Sequence, residues 1–218
     1  MIERLLSAPV VAVEAFDDSL PGLLFPEEEA LLANAVDKRR NEFVTARRCA
    51  RQALAELGFP PAPLLPGPQR EPRWPAGVVG SITHCDGYRA AAVARTTDLV
   101  TIGIDAEPHQ PLPSGVLAAV ALPAEVARLA QLAGAYPSIC WDRLLFCAKE
   151  AVYKAWFPLA RRWLDFHEAE IEVDPAGTFT AVLLVPGPLV DGVPLTGFSG
   201  RWLVDHGLLL AVISLPTR

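Results

Sequence analysis

The chain has 218 residues, 51% of them hydrophobic and 20% charged, with a formal net charge of -6. This is the balance of a globular protein with a sizeable core; it argues against a general nucleic-acid binder, though not against a local basic site. No apolar run reaches the roughly 18 residues of a membrane span, and the length suits one compact unit or two small ones.

In chain order, the opening MIERLLSAPVVAVEAF carries Glu3 and lacks the charged, apolar and cleavable succession of a signal peptide. Helical character runs from about residue 26 to 57, with Asp37 as a break within it. Wound at helical period, Phe43, Ala46, Ala50, Leu54 and Leu57 share one face, and Arg40, Arg47 and Arg51 crowd its border. Gly58 ends the helix, and the proline-rich FPPAPLLPGPQREPRWPAG follows as a loop whose Trp74 and leucines place it against the body of the protein. VVGSITHCDGYRAAAVART reads as two strands around an Asp86-Gly87 hairpin turn, and LVTIGIDAE as a third strand.

Residues 110 to 140 mix helix and loop. A second strong helix spans about 140 to 156, with Pro158 expected to stop it. The tail alternates as strands, with turns at Gly177 and Gly207. A helix followed by hairpin strands thus occurs in each half, with a boundary near residue 107. The expected fold class is mixed α/β (α+β), and there is no regular βαβ order or Gly-rich phosphate fingerprint. Cys49, Cys85, Cys140 and Cys147 have no CxxC spacing and read as free thiols of a reducing cytoplasm.

Four clusters carry chemistry. Asp105 and Glu107, two apart on a strand, point to the same side, where like charges demand a cation. They are either a solvated strand end or ligands of a hard divalent ion. On the second helix, Glu150 and Lys154 sit at i and i+4 with Lys149 beside them, as a surface ion pair or as a metal and phosphate site. Ser81 and His84, in a segment where Ser81, Thr83 and Cys85 alternate with Ile82 and His84, suit phosphate donors better than a hydrolase pair, since no G-x-S-x-G elbow surrounds any serine. The arginine-rich helix face is either solvated or a local anion site. Together these groups supply acids for a dication and bases for several phosphates but no covalent nucleophile, which fits group transfer from a phosphorylated donor.

GSITHC, IGIDAEP and FCAKEAVYKAWFPL, in this order, resemble the Sfp/EntD-type 4'-phosphopantetheinyl transferases. Gly103, Asp105 and Glu107 match that family's G-x-D-x-E segment, and Lys149, Glu150 and Lys154 match its K-E-A-x-x-K helix. The resemblance implies a monomeric pseudodimer of two similar subdomains, residues 1–106 and 107–218, each a helix packed on a small, mainly antiparallel sheet, with the site in the cleft between them. It implies transfer of the 4'-phosphopantetheine arm of coenzyme A to a serine of acyl or peptidyl carrier protein domains of fatty acid, polyketide or nonribosomal peptide synthases, releasing adenosine 3',5'-bisphosphate.

By the same resemblance, Asp105, Glu107 and Glu150 hold Mg²⁺, and Glu150 is the base for the carrier serine. Lys154 and Lys149 meet the pyrophosphate, while Arg39, Arg47, Ser81, Thr83 and His84 hold the nucleotide end. The alternatives are a magnesium-dependent phosphoesterase acting on coenzyme A and a non-catalytic coenzyme A-binding module. One departure is local. Relatives often carry a lysine before a GEP or GKP element; here Pro66 and Gln69 stand at the equivalents, leaving Arg70 as the cation able to substitute.

Overall fold

Side-chain alternation along the strands decides which faces are buried, and in the computed structural model, which describes residues 1–217, it builds two antiparallel sheets stacked between two long helices. The elements in order are β1 (Val11–Ala15), α1 (Pro26–Ala30), α2 (Asp37–Glu56), β2 (Val78–Cys85), β3 (Tyr88–Arg95), β4 (Leu99–Pro108), α3 (Val116–Val120), α4 (Pro123–Ala135), α5 (Trp141–Ala160), β5 (Ala169–Asp174), β6 (Thr178–Leu183), β7 (Leu189–Val190), β8 (Val193–Pro194), β9 (Gly197–Asp205) and β10 (Leu208–Pro216). The smaller sheet has the order β1-β3-β2, the larger β4-β10-β9-β6-β5, and β7 and β8 form a separate ribbon.

Three cores follow from that stacking. Cys49, Ala50, Ala53 and Leu54 of α2 bury one face of the small sheet, against Ala91 and Val93 of β3. The alternate residues Ala90, Ala92 and Ala94 meet Ile102, Ile104 and Ala106 of β4 and Leu210 and Val212 of β10, so small alanines let the two sheets lie close. The far face of the large sheet, with Leu209, Ala211 and Ile213, is covered by Leu144, Ala148, Ala151 and Ala155 of α5. The architecture is therefore helix, sheet, sheet, helix, in agreement with the mixed α/β expectation.

The break expected at Asp37 is present: α1 ends at Ala30 and α2 starts at Asp37, where the acid complements the helix N-terminus. Pro158 does not stop α5, which runs on to Ala160. The proline's missing N–H removes one bond from the helical ladder, yet Leu159 and Ala160 stay helical, and the helix closes at Arg161, whose left-handed backbone (φ 50°) returns its N–H to the Phe157 carbonyl at 2.9 Å. Residues near 107 lie inside β4, which hydrogen-bonds along its length to β10. The four cysteines are free thiols, as expected. No described helix is long and apolar enough to cross a membrane.

Candidate active site

The site is set by how β4 meets α5 and β2. On the α5 side of β4 stand Thr101, Gly103, Asp105 and Glu107, and α5 runs past them in the opposite sense. Thr101 Oγ1 donates to the Ala155 carbonyl at 2.8 Å, Lys154 Nζ to Asp105 Oδ1 at 2.7 Å, and Arg143 Nη1 to Glu107 Oε2 at 2.9 Å. Gly103 is what brings the helix this near, because a β-carbon there would stand 2.0 Å from the Ala151 carbonyl oxygen.

The other edge of β4 faces β2. The N–H groups of Ile104 and Ala106, which point away from β10, donate to Ser81 Oγ at 3.1 Å and Thr83 Oγ1 at 3.0 Å. Along β2 these two hydroxyls look toward β4, while Ile82 and His84 look toward α2. Two sheets that share no strand ladder are thus joined by a pair of side-chain hydrogen bonds.

Beside this seam opens a cavity of about 1050 Å³, walled by α2, β2, the proline-rich loop and the C-terminal half of α5. Arg39, Arg47, Ser81, His84, Glu150 and Lys154 all line it. Arg39 Nη1 lies 2.8 Å from His84 Nε2; a guanidinium only donates, so His84 is neutral there with its proton on Nδ1. Desolvation, then the Arg39 charge, hold the His84 pKa below its ordinary value although one side of the ring stays open to solvent. Arg47 is buried, donates to the Leu64 carbonyl at 2.9 Å and lies over the Phe43 ring; burial lowers its pKa to about 10.

The carboxylates are under electrostatic load. Burial first, then Asp105, raise the pKa of Glu150 against the lowering effect of Lys154, and raise that of Glu107 against Arg143 and, more weakly, Lys154. Burial alone would lower Lys154; Asp105 and Glu150 outweigh it and raise its pKa. Asp105 is 5% exposed, and its Oδ2 is buried without a hydrogen-bond partner. Among the described residues, no three His, Cys, Asp or Glu side chains form a ready-made metal cage. One orphaned carboxylate oxygen flanked by two further acids instead suits a hard dication that brings its remaining ligands as phosphate and water oxygens.

Several expected contacts are placed elsewhere. Lys149, expected at the pyrophosphate, is one residue from Glu150 and so on a different helix face, outside the cavity lining. Its Nζ donates to the Phe166 carbonyl at 2.6 Å and the Ala169 carbonyl at 2.9 Å, and lies 2.9 Å from the buried Glu125 carboxylate. Thr83 is also outside the cavity lining, with its hydroxyl donated to Asp105 Oδ1 at 3.2 Å. The arginine cluster divides. Arg51 lies 2.9 Å from both oxygens of the buried Glu28 and Arg40 is paired with Glu29, both outside the cavity lining, while Arg39 and Arg47 line it, Arg47 also lying 3.8 Å from Glu28. Glu150 and Lys154, one turn apart, do not pair with each other; Lys154 crosses to Asp105.

Two stretches match known family models. Residues 27–94 match the 4'-phosphopantetheinyl transferase N-terminal domain, and residues 101–192 the 4'-phosphopantetheinyl transferase superfamily. The chain is also 58% identical, over 219 residues, to the 4'-phosphopantetheinyl transferase Svp of Streptomyces mobaraensis, covering 99% of this chain and 89% of the relative. It belongs to the 4'-phosphopantetheinyl transferase family.

Similarity to the 4'-phosphopantetheinyl transferase PptT of Mycobacterium tuberculosis is 54% identity over 201 residues, covering 89% of this chain and 88% of that one. The enterobactin synthase component D of Escherichia coli (strain K12) is 36% identical over 135 residues, 61% of this chain and 62% of its own length. Two residues near the site were passed over by the sequence reading. Arg143 holds Glu107, and its spacing of seven residues, two helical turns, before Glu150 was the available signal. Tyr153 lines the cavity beside Lys154 with its ring 4.8 Å from that of Trp163.

Proposed function

We propose that this transferase moves the 4'-phosphopantetheine arm of coenzyme A onto a serine of acyl or peptidyl carrier protein domains, in the cytoplasm and as a monomer. The observation that carries this reading is that Lys154 and Glu150 line one cavity, with Lys154 bonded to the buried Asp105 behind its wall, in a member of this family. Asp105, with Glu107 and Glu150, would hold Mg²⁺, whose chemistry when bound is to neutralise the diphosphate of the donor.

The residues themselves divide the work. Lys154, a fixed cation with its Nζ also donating to the Ile104 carbonyl at 3.1 Å, offers positive charge to the diphosphate. Glu150, with its pKa raised by burial, takes the proton of the carrier serine hydroxyl. The serine oxygen bonds to the phosphorus that bears the pantetheine arm, the bond from that phosphorus to the bridging oxygen breaks, and adenosine 3',5'-bisphosphate leaves. Arg39, Arg47, Ser81 and His84 hold the nucleotide end. The hydroxyl of Ser81 accepts from Ile104 and keeps its own proton free to donate.

The test is to incubate the protein with coenzyme A, Mg²⁺ and a panel of apo-carrier domains and to weigh the carriers. A gain of one phosphopantetheine group is expected. Bisphosphate release without a carrier would make the protein a phosphoesterase, and binding of coenzyme A with no product of either kind a binding module.

A further inference from the structure

The proline-rich loop ends in a small hairpin at the cavity wall. Gly67 donates its N–H to the Glu71 carbonyl at 2.7 Å, Arg70 donates to the Gly67 carbonyl at 3.0 Å, and Pro66 faces Pro72 across the two arms. This is a three-residue loop whose third residue must be left-handed, the place where bulged hairpins put glycine. Here it is Arg70, at φ 66°. A side chain with a β-carbon is strained in that region, and such strain persists where surrounding structure enforces it, commonly at ligand contacts.

The surroundings do enforce it. The Glu71 carboxylate folds over Gly67, where a β-carbon would stand 2.0 Å from its Oε1, and accepts from Gln69 N at 3.0 Å. Trp74 pins the base of the loop to β2 through a 2.9 Å bond to the Gly80 carbonyl. Arg70 lines the cavity, and among the described residues its guanidinium has no hydrogen-bond or ion-pair partner. Arg161, the other left-handed arginine of the cavity, differs on both counts: it closes a helix, and it lies 3.5 Å from Glu71.

We propose that Arg70 is a donor-binding residue of this transferase, set in a glycine position so that its unpaired guanidinium receives a phosphate group of the nucleotide donor. The inference rests on coenzyme A being the donor. A guanidinium held at the cavity wall by a rigid hairpin matches phosphate oxygens in pairs, and its charge is not shared with a protein carboxylate. Strain and binding are then separable, because glycine removes both the strain and the cation, alanine removes only the cation, and lysine keeps strain and charge without the planar fork.

The test is calorimetric titration with coenzyme A and with dephospho-coenzyme A, alongside melting curves, for the wild type, R70G, R70A and R70K. R70G is expected to melt about 2–4 °C higher than the wild type and to bind coenzyme A about 10-fold more weakly. R70A should bind as weakly without the gain in melting temperature, and R70K should recover part of the affinity. Weakening confined to coenzyme A assigns the contact to the 3'-phosphate, and equal weakening for both ligands assigns it to the diphosphate. Affinities of R70G and R70A within twofold of a wild type that binds coenzyme A would overturn the assignment; a wild type that binds neither ligand would overturn the donor reading instead.

Discussion

Glu150 lies where a carboxylate is least at ease, half-buried on α5 with Asp105 and Glu107 near enough to raise its pKa and only Lys154 opposing them. That discomfort suits a proton acceptor, since a base with a raised pKa binds the serine proton more strongly. It also has a thermodynamic signature. In the folded protein the Glu150 pKa is raised above the ordinary 4.5, so between those two values the folded state binds more protons than the unfolded chain. The stability gained by protonation is complete below about 4.5 and lost as pH rises through the folded pKa. In chelator-treated protein, Glu150→Gln is therefore expected to melt above the wild type at pH 7, by roughly 2–4 °C for about 1 kcal/mol. The difference should shrink as pH falls through the Glu150 pKa. Melting curves across pH check it; a variant less stable than the wild type at pH 7 would mean that the Glu150 carboxylate is not under strain.

β4 and α5 act as one unit, and their contact was only half legible beforehand. The G-x-D-x-E spacing predicted that Asp105 and Glu107 share a face, and they do. The Glu150 and Lys154 spacing predicted one helical face, and both side chains reach the cavity. What periodicity does not carry is partnership across elements. Lys154 turns to Asp105 rather than Glu150 because the helix backbone passes directly over Gly103, leaving the lysine within reach of the strand. Lys149 shows the opposite limit, since a basic residue beside a cavity-lining acid is indistinguishable in sequence from a ligand contact, and the fold sinks it against Glu125. Gly103→Ala is expected to force the helix off the strand and cost about 3 kcal/mol or more. Urea unfolding measures this, and a midpoint unchanged from the wild type would show that the helix can yield without loss.

For the whole molecule, four layers place the cavity where the two halves diverge. β2 and β4 share a seam through Ser81 and Thr83 but no ladder, so the cavity wall takes residues from both halves. The long helices and most strands were readable because their faces are uniformly apolar. Two features were not. β1, within VVAVEAF, is a five-residue strand with no turn signal before it, and β7 and β8 are two residues each. The hydroxyl stitches were also illegible, because a serine and a threonine two residues apart suit a phosphate site and a strand edge equally well.

The most direct measurement is single-turnover loading of an apo-carrier domain at saturating coenzyme A and Mg²⁺, followed by mass, for the wild type, Asp105→Asn and Glu150→Gln. The wild type is expected to add one phosphopantetheine group per carrier, while both variants melt cooperatively and add none within the wild-type time course. Loading by either variant at the wild-type rate would contradict the account.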